Sequence, residues 1–236
     1  MDNIKVDLIQ TPDLSLEVMA AIIGVTYIRK PFSVIKHEMT KEKAVKLITN
    51  VVEMDHKSTI EHAHFTFTIE GASRVFLAQI TRARMANYTS GSQQYQNHGN
   101  FSYVLPHSTK KWTPSTITRY HQLMQDVNDL YKDMLASGVD RDDARYVIPN
   151  ACRVTTIVMT MDVRNLFNLF KQRLCKRNTY ETLLVVSQMY AMVHNLYPEL
   201  FDLSGPACLH GPCDQGSKSC KCQYEYQEEL ANVAQG

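Results

Sequence analysis

Residues 153–173 read RVTTIVMTMDVRNLFNLFKQR, and two different periods meet inside that run. Its first part, 153–161, is rich in β-branched residues, which are stiff at χ1 and suit a pleated strand. Asp162 follows, a residue whose carboxylate can accept the orphan backbone N–H groups of a helix start. Beyond it Leu166, Leu169, Phe170 and Arg173 fall on one face of a helix that the spacing carries to about Cys175. A strand handed straight to a helix sets the tone for the rest of the chain.

Working outward, HAHFTFTI (62–69) alternates strictly, with Ala63, Phe65, Phe67 and Ile69 on one face, which predicts a half-buried strand. Gly71 breaks it, and Ser73 can cap a short helix running to about Arg82. KEKAVKLITNVVE (41–53) places Ala44, Leu47, Ile48, Val51 and Val52 at helical spacing. Thr113-Pro114 opens another helix with Ile117, Tyr120, Met124, Val127, Leu130 and Met134 inward, stopped by Gly138. A last helix spans roughly 179–197 and ends at Pro198. Between these lies MANYTSGSQQYQNHGNFSYVLPHSTKK (85–111), with no period until Phe101; so long a polar loop in a compact domain is functional or disordered. The mixed order of strand and helix, without repeat or flexible linker, predicts one α+β domain over 1–204, with 205–236 as a Cys-rich appendage.

The chain has 236 residues and a formal net charge of +1. That balance argues against a general nucleic-acid or membrane-surface binder, which needs a large basic excess, but leaves room for a small basic pocket. No apolar run is long enough to cross a bilayer, and MDNIKVDLIQ lacks a signal-peptide pattern. The expectation is a cytoplasmic protein with reduced cysteines.

The chemistry concentrates in TRARMANYTSGSQQY (81–95). Arg82 and Arg84 stand two apart where a helix gives way to the polar loop, and a guanidinium fork suits phosphate. Ser-Gly-Ser then offers hydroxyls and backbone N–H groups, which also bind anions. The residues alone fit either a phosphate site or a solvated helix end with a polar turn. Arg173, on an apolar helix face, needs a partner; it either snorkels to the rim or meets a ligand.

The same segment resembles the signature of flavin-dependent thymidylate synthases: Arg-His-Arg, seven residues, then Ser. Here Arg82-Ala83-Arg84 is followed by Met85 to Gly91 and Ser92. HKSTIEHAHFTF (56–67), ASRVFLAQITRAR (72–84), DDARYVIPNACRVTTIVMTMDVRNLFNLFKQR (142–173) and GPACLHGPCDQGSKSC (205–220) are similar to other family segments, in the family's order. The resemblance implies a mixed or antiparallel sheet with flanking helices, a homotetramer, and FAD as cofactor. It implies NADPH and methylenetetrahydrofolate as cosubstrates and methylation of carbon 5 of dUMP. By the same resemblance Arg82, Arg84, Ser90, Asp162, Arg164 and Asn168 would hold FAD, with Ser58 reaching it from a neighbouring subunit. Gln79 and the run Ser90, Gly91, Ser92, Gln93 and Gln94 would hold the nucleotide, Arg145 its phosphate, and Arg173 the uracil, stabilising its ionised form at N3.

The signature also departs from the family. Ala83 replaces its His, and Gln94 stands where it has the Arg of Ser-x-Arg-Tyr. Gln94 keeps hydrogen-bonding ability and loses a charge. Arg145, Arg74 and the Lys110-Lys111 pair are the cations that could compensate. These departures keep two alternatives open: methylation of another uracil nucleotide such as UMP, or a non-catalytic flavin- or nucleotide-binding paralogue.

Cys152 and Cys175 read as small core residues rather than nucleophiles. His62 and His64 share a strand face and could pair on a metal or line a polar surface. In the tail Cys208, Cys213, Cys220 and Cys222 fall within 15 residues, either a tetrahedral zinc set or plain thiols.

Overall fold

The computed structural model describes residues 4–221. Its elements run β1 (Lys5–Gln10), α1 (Leu16–Tyr27), α2 (Phe32–Glu38), α3 (Lys41–Glu53), β2 (His64–Glu70), α4 (Arg74–Ile80) and β3 (Asn87–Ser90). They continue with α5 (Pro114–Ala136), α6 (Arg141–Ala144), β4 (Thr156–Asp162), α7 (Val163–Arg173), α8 (Tyr180–Leu196) and α9 (Pro198–Phe201). The strands form one antiparallel sheet in the order β1-β2-β4-β3, with helices around it. This is the expected α+β architecture. No helix among the described residues is long and apolar enough to cross a membrane.

Most elements follow from local rules. Ser15, Thr40, Ser73, Thr113, Asp162 and Thr179 each accept a backbone N–H three residues on, capping the helices that follow. Gly138, at φ 84°, takes the left-handed position just after the α5 C-cap. In β2 the residues Phe65, Phe67 and Ile69 are fully buried, as their alternation predicts. Thr66 points the other way and is buried too, because Gln10 Oε1 lies 2.8 Å and Thr160 Oγ1 2.9 Å from its hydroxyl. A central strand is covered on both faces, which a two-residue period does not reveal.

The chain forms two compact units. One comprises 4–5, 68–82 and 88–158; the other comprises 6–67, 83–87 and 159–221. The second has an apolar core in which α1 packs on α3 and Phe201 meets Phe65, Phe167 and Phe170 at ring distances of 5.8, 5.8 and 6.0 Å. The first is built around α5, whose Met124, Asn128 and Tyr131 are buried. Phe101 and Cys152 complete that core with Met124. Asn128 Oδ1 accepts the Phe101 N–H at 3.1 Å, so a buried amide ties the long polar loop to the helix.

Several expectations change. Leu130 is 48% exposed: the buried set 124, 128, 131 fixes the inward face of α5, and position 130 falls beside it. The loop 85–111 contains a strand, β3. Tyr88 donates to Ile80 O at 2.8 Å, and the Gly91 N–H just beyond the strand donates to Thr156 O at 3.1 Å. Only tertiary partners supply such pairing. The strand expected from 153 begins at Thr156, because Arg153 and Val154 bond instead to Ser102 and Ala72. Pro198 also starts α9 rather than simply ending α8, as proline at a first helical position can. Cys175 is half-buried beside a cavity, not in the core. The first helices and β1, before residue 41, lay outside the sequence reading.

Candidate active site

In the first unit the polar run after β3 folds as a compact loop. Ser92 Oγ accepts the Gln94 N–H at 3.2 Å, and Ser92 O accepts the Gln96 N–H at 3.0 Å. Gly91 lies close against Gln96: a Cβ there would be 2.8 Å from Gln96 Oε1, so that side chain would have to move aside. The loop is then clamped to the α6 segment from both sides. Arg141 Nη1 donates to Tyr95 O at 2.9 Å, and Gln94 Nε2 donates to Asp142 Oδ2 at 2.7 Å. Asp142 is shared. Its Oδ1 lies 3.0 Å from Arg145 Nη2, an ion pair without hydrogen-bond alignment, and Arg145 Nε donates to Asp142 O at 3.2 Å. Gln94, Asp142 and Arg145 therefore form one relay.

Two buried atoms of this region lack a hydrogen-bond partner, Gln93 Nε2 and Asp142 Oδ1. Such groups cost free energy unless something else satisfies them. Arg82 lies exposed at the turn after α4, Gln79 half-buried on α4, and Ser90 exposed at the end of β3. Beneath, Cys152 is fully buried, and burial pushes its thiol up to about 11. At neutral pH it is a protonated thiol with no role as nucleophile.

In the second unit Asp162 is the cap of α7, its Oδ1 accepting the Asn165 N–H at 2.9 Å and its Oδ2 the Asn165 side-chain amide at 2.6 Å. Arg164 is exposed and paired with Glu61, whose carboxylate holds the guanidinium pKa above its ordinary value. Ser58 and Arg84 are exposed. Asn168, exposed on α7, lines a polar cavity of about 500 Å³ with Lys171, Gln172, Arg177 and Asn178. Arg173 ends the helix half-buried, on the same face as the buried Leu166, Leu169 and Phe170.

Asn178 organises that helix end. Its amide donates to Gln172 O at 2.8 Å and Cys175 O at 3.0 Å, while its Oδ1 accepts from Arg173 Nη1 at 3.4 Å. It closes carbonyls that a helix C-terminus leaves open and orients the guanidinium. Neither Asn178 nor Asp142 emerged from the sequence. Asp142 had a usable signal, an acid three residues before an arginine on a helical turn. Asn178 had none.

His62 and His64 are exposed. Among the described residues no three His, Cys, Asp or Glu side chains form a group able to hold a metal ion. Cys222 lies outside the described residues. Cys208, Cys213 and Cys220 line one small cavity together with Cys175.

Residues 7–199 match the family model described as thymidylate synthase complementing protein. A protein of Clostridium tetani named flavin-dependent thymidylate synthase is 32% identical over 235 residues, covering 92% of this chain and 93% of its own. One of the same name from Geobacter sulfurreducens is 33% identical over 219 residues, with the same coverage of each chain. Among solved structures, a UMP/dUMP methylase, PolB, from Streptomyces cacaoi bound with 5-Br dUMP shares the fold at a TM-score of 0.71 and 16% identity, covering 85% of this chain and 94% of that one.

Proposed function

Because the chain belongs to the thymidylate synthase complementing protein family, we propose that it methylates carbon 5 of a uracil nucleotide, dUMP first, as a flavin-dependent thymidylate synthase. The observation that carries this reading is the Gln94–Asp142–Arg145 relay, which ties the polar loop that follows the arginine signature to a guanidinium just after α6. Methylenetetrahydrofolate is the proposed carbon donor and NADPH the reductant. The proposed homotetramer lets one active site draw on more than one chain.

The residues present fit FAD. Arg82 and Arg84 are exposed guanidiniums that make no hydrogen bond or ion pair to any described residue, a donor set suited to a diphosphate. Ser58, Ser90 and Asn168 are exposed and are the further proposed donors, with Arg164 exposed in its pair with Glu61. Asp162 holds α7 at its cap and so fixes where Arg164 and Asn168 project. Bound flavin supplies the redox chemistry that no side chain here can. The protein's own part is to bind and orient. Gln79, Gly91, Ser92, Gln93 and Gln94 hold the nucleotide, Arg145 takes its phosphate, and Arg173 stabilises negative charge at uracil N3 as it develops. Preorganised donors of this kind act mainly in the transition state.

Flavin is tested first. Arg82→Ala should lose most of its flavin on gel filtration; full retention at normal affinity removes Arg82 from the FAD site. Turnover is tested next. Purified protein with NADPH and methylenetetrahydrofolate is offered dUMP, UMP or dCMP, and the methylated product is read by mass spectrometry. Product from dUMP is expected. Product from UMP alone moves the acceptor to a ribonucleotide, a reading that the missing charge at Gln94 favours. Bound flavin with no product from any acceptor leaves a binding paralogue.

A further inference from the structure

After α9 the chain turns back on itself. Pro206 opens the turn Ala207–Leu209, the His210 N–H donates to Ala207 O at 3.2 Å, and the His210 ring Nε2 lies 2.9 Å from Ser204 O. Gly211 and Pro212 carry the chain on to Cys213, and just beyond it Gln215 accepts from the Arg177 guanidinium. The fold-back sets Cys208 and Cys213 on the wall of one cavity of about 20 Å³, which Cys175 and Cys220 also line. That is room for about one water. The nucleotide and flavin readings above use none of these thiols.

Sulfurs gathered on so small a space suit two chemistries. Metal capture needs at least three donors about one centre, and among the described residues no three His, Cys, Asp or Glu side chains form such a group. A covalent bond needs only two. Cys208 and Cys213 are the pair that feel each other most. Burial pushes the Cys208 thiol up, and Cys213 pushes it further, ahead of Cys220 and Cys175, although a backbone hydrogen bond at 208 works the other way. Such an effect belongs to like charges held close together. Both thiols are half-buried, so a small reagent reaches them. Lys176 and Arg177 line the same cavity and favour an anionic reagent.

We propose that Cys208 and Cys213 are a thiol–disulfide exchange pair, a modification site that takes a small anionic disulfide as oxidant and closes residues 208–213 into a covalent ring. Exchange proceeds by attack of a thiolate on a disulfide sulfur. Cys208 holds its proton, so Cys213 attacks first: its sulfur bonds one half of the reagent and the other half leaves as a thiolate. Cys208 then gives its proton to water, attacks the Cys213 sulfur and expels the second half. Two protein thiols have become one disulfide, and the reagent, having taken up two electrons and two protons, leaves as two thiols. Gln215 sits two residues beyond the ring, and its partner Arg177 adjoins Asn178, the side chain that receives Arg173. The closed ring therefore stiffens the tail against the end of α7.

The test treats the reduced, flavin-loaded full chain with oxidised glutathione without air, blocks remaining thiols and reads intact mass and linked peptides. Wild type should lose two hydrogens, retain no glutathione on either residue, show a Cys208–Cys213 link, and regain both thiols in excess reduced glutathione. Cys208→Ser should instead trap one glutathione on Cys213. Hydrogen exchange over 205–215 should slow in the oxidised form. A lasting glutathione adduct on Cys213 of wild type, or a link from either residue to Cys175 or Cys220 in its place, overturns the proposal. So does about one zinc per chain with both thiols unreactive until a chelator is added. A Cys208–Cys213 link with unchanged exchange overturns the stiffening of the tail. None of these outcomes depends on turnover, so the methylation reading stands or falls separately.

Discussion

The loop after β3 and the helix α7 both carry proposed substrate contacts, but they are specified in different ways. Everything α7 needs is local: a cap at Asp162, an apolar stripe through Leu166, Leu169 and Phe170, and an arginine at the end. The loop has no such code. Its shape depends on Asp142, Arg141 and Thr156, residues about 45 to 65 positions away. A side chain placed by a helix keeps its role when its neighbours change; one placed by a relay shares its role with every member of it. Mutations should therefore act singly on α7 and collectively in the loop.

Arg173→Ala probes the helix side and should have the largest effect. Removing a preorganised donor that acts on developing charge lowers the turnover number by about 100- to 1,000-fold. The Michaelis constant for dUMP should move little, because the interaction strengthens only as the reaction proceeds. Normal turnover at saturating dUMP sinks the assignment. Asn178→Ala is the companion. It keeps the guanidinium but removes the amide that receives it and closes the helix end. A loss of about tenfold in turnover is expected, on the scale of a small misplacement of a catalytic group. An unchanged rate makes Asn178 a cap and nothing more.

The loop side has its own anchor in Asn128. Asn128→Leu removes one of the two acceptors of the Phe101 N–H, which also donates to His98 O at 3.1 Å, at about 0.5–1.5 kcal/mol. Thermal scanning should show a melting temperature lower by about 1–6 °C. Because the loop loosens, dUMP affinity should fall as well, with turnover at saturation kept. A destabilised variant with unchanged affinity separates this anchor from the binding loop.

The same contrast explains what the sequence disclosed. Caps, Gly138, the alternation of Phe65 and Phe67, and the face of α7 are written within a few residues of where they act, and all appear in the structure. β3 and the burial of Thr66 depend on partners remote in sequence and were not legible; on α5 the spacing placed Tyr120, Met124 and Val127 on the core side and misplaced only Leu130. At the site, the family resemblance pointed to Arg145 and Gln94 separately. Nothing in the sequence announced that Asp142 joins them, since a bond from loop to helix leaves no period behind.

The smallest effect is the most telling, because it separates a loop position from a relay. Read alone, Gln94→Arg adds a cation next to a phosphate and should tighten dUMP strongly. In the structure the side chain at 94 reaches Asp142 Oδ2, whose neighbouring oxygen faces Arg145. An arginine at 94 therefore pairs first with Asp142, in a half-exposed setting where ion pairs contribute little. What reaches the nucleotide is indirect: Asp142 is drawn toward position 94, and Arg145 is released to the phosphate. The expected gain in dUMP affinity is only about two- to fivefold, well short of what a full charge-assisted bond would give. Since the gain passes through Arg145, it should vanish in an Arg145→Gln background, while a cation acting directly on phosphate would keep its effect there. A double-mutant cycle on dUMP dissociation constants, read with turnover at saturation, decides between them. Additive effects of Gln94→Arg and Arg145→Gln would mean that the two positions bind the phosphate independently and that the relay seen around Asp142 does not govern binding.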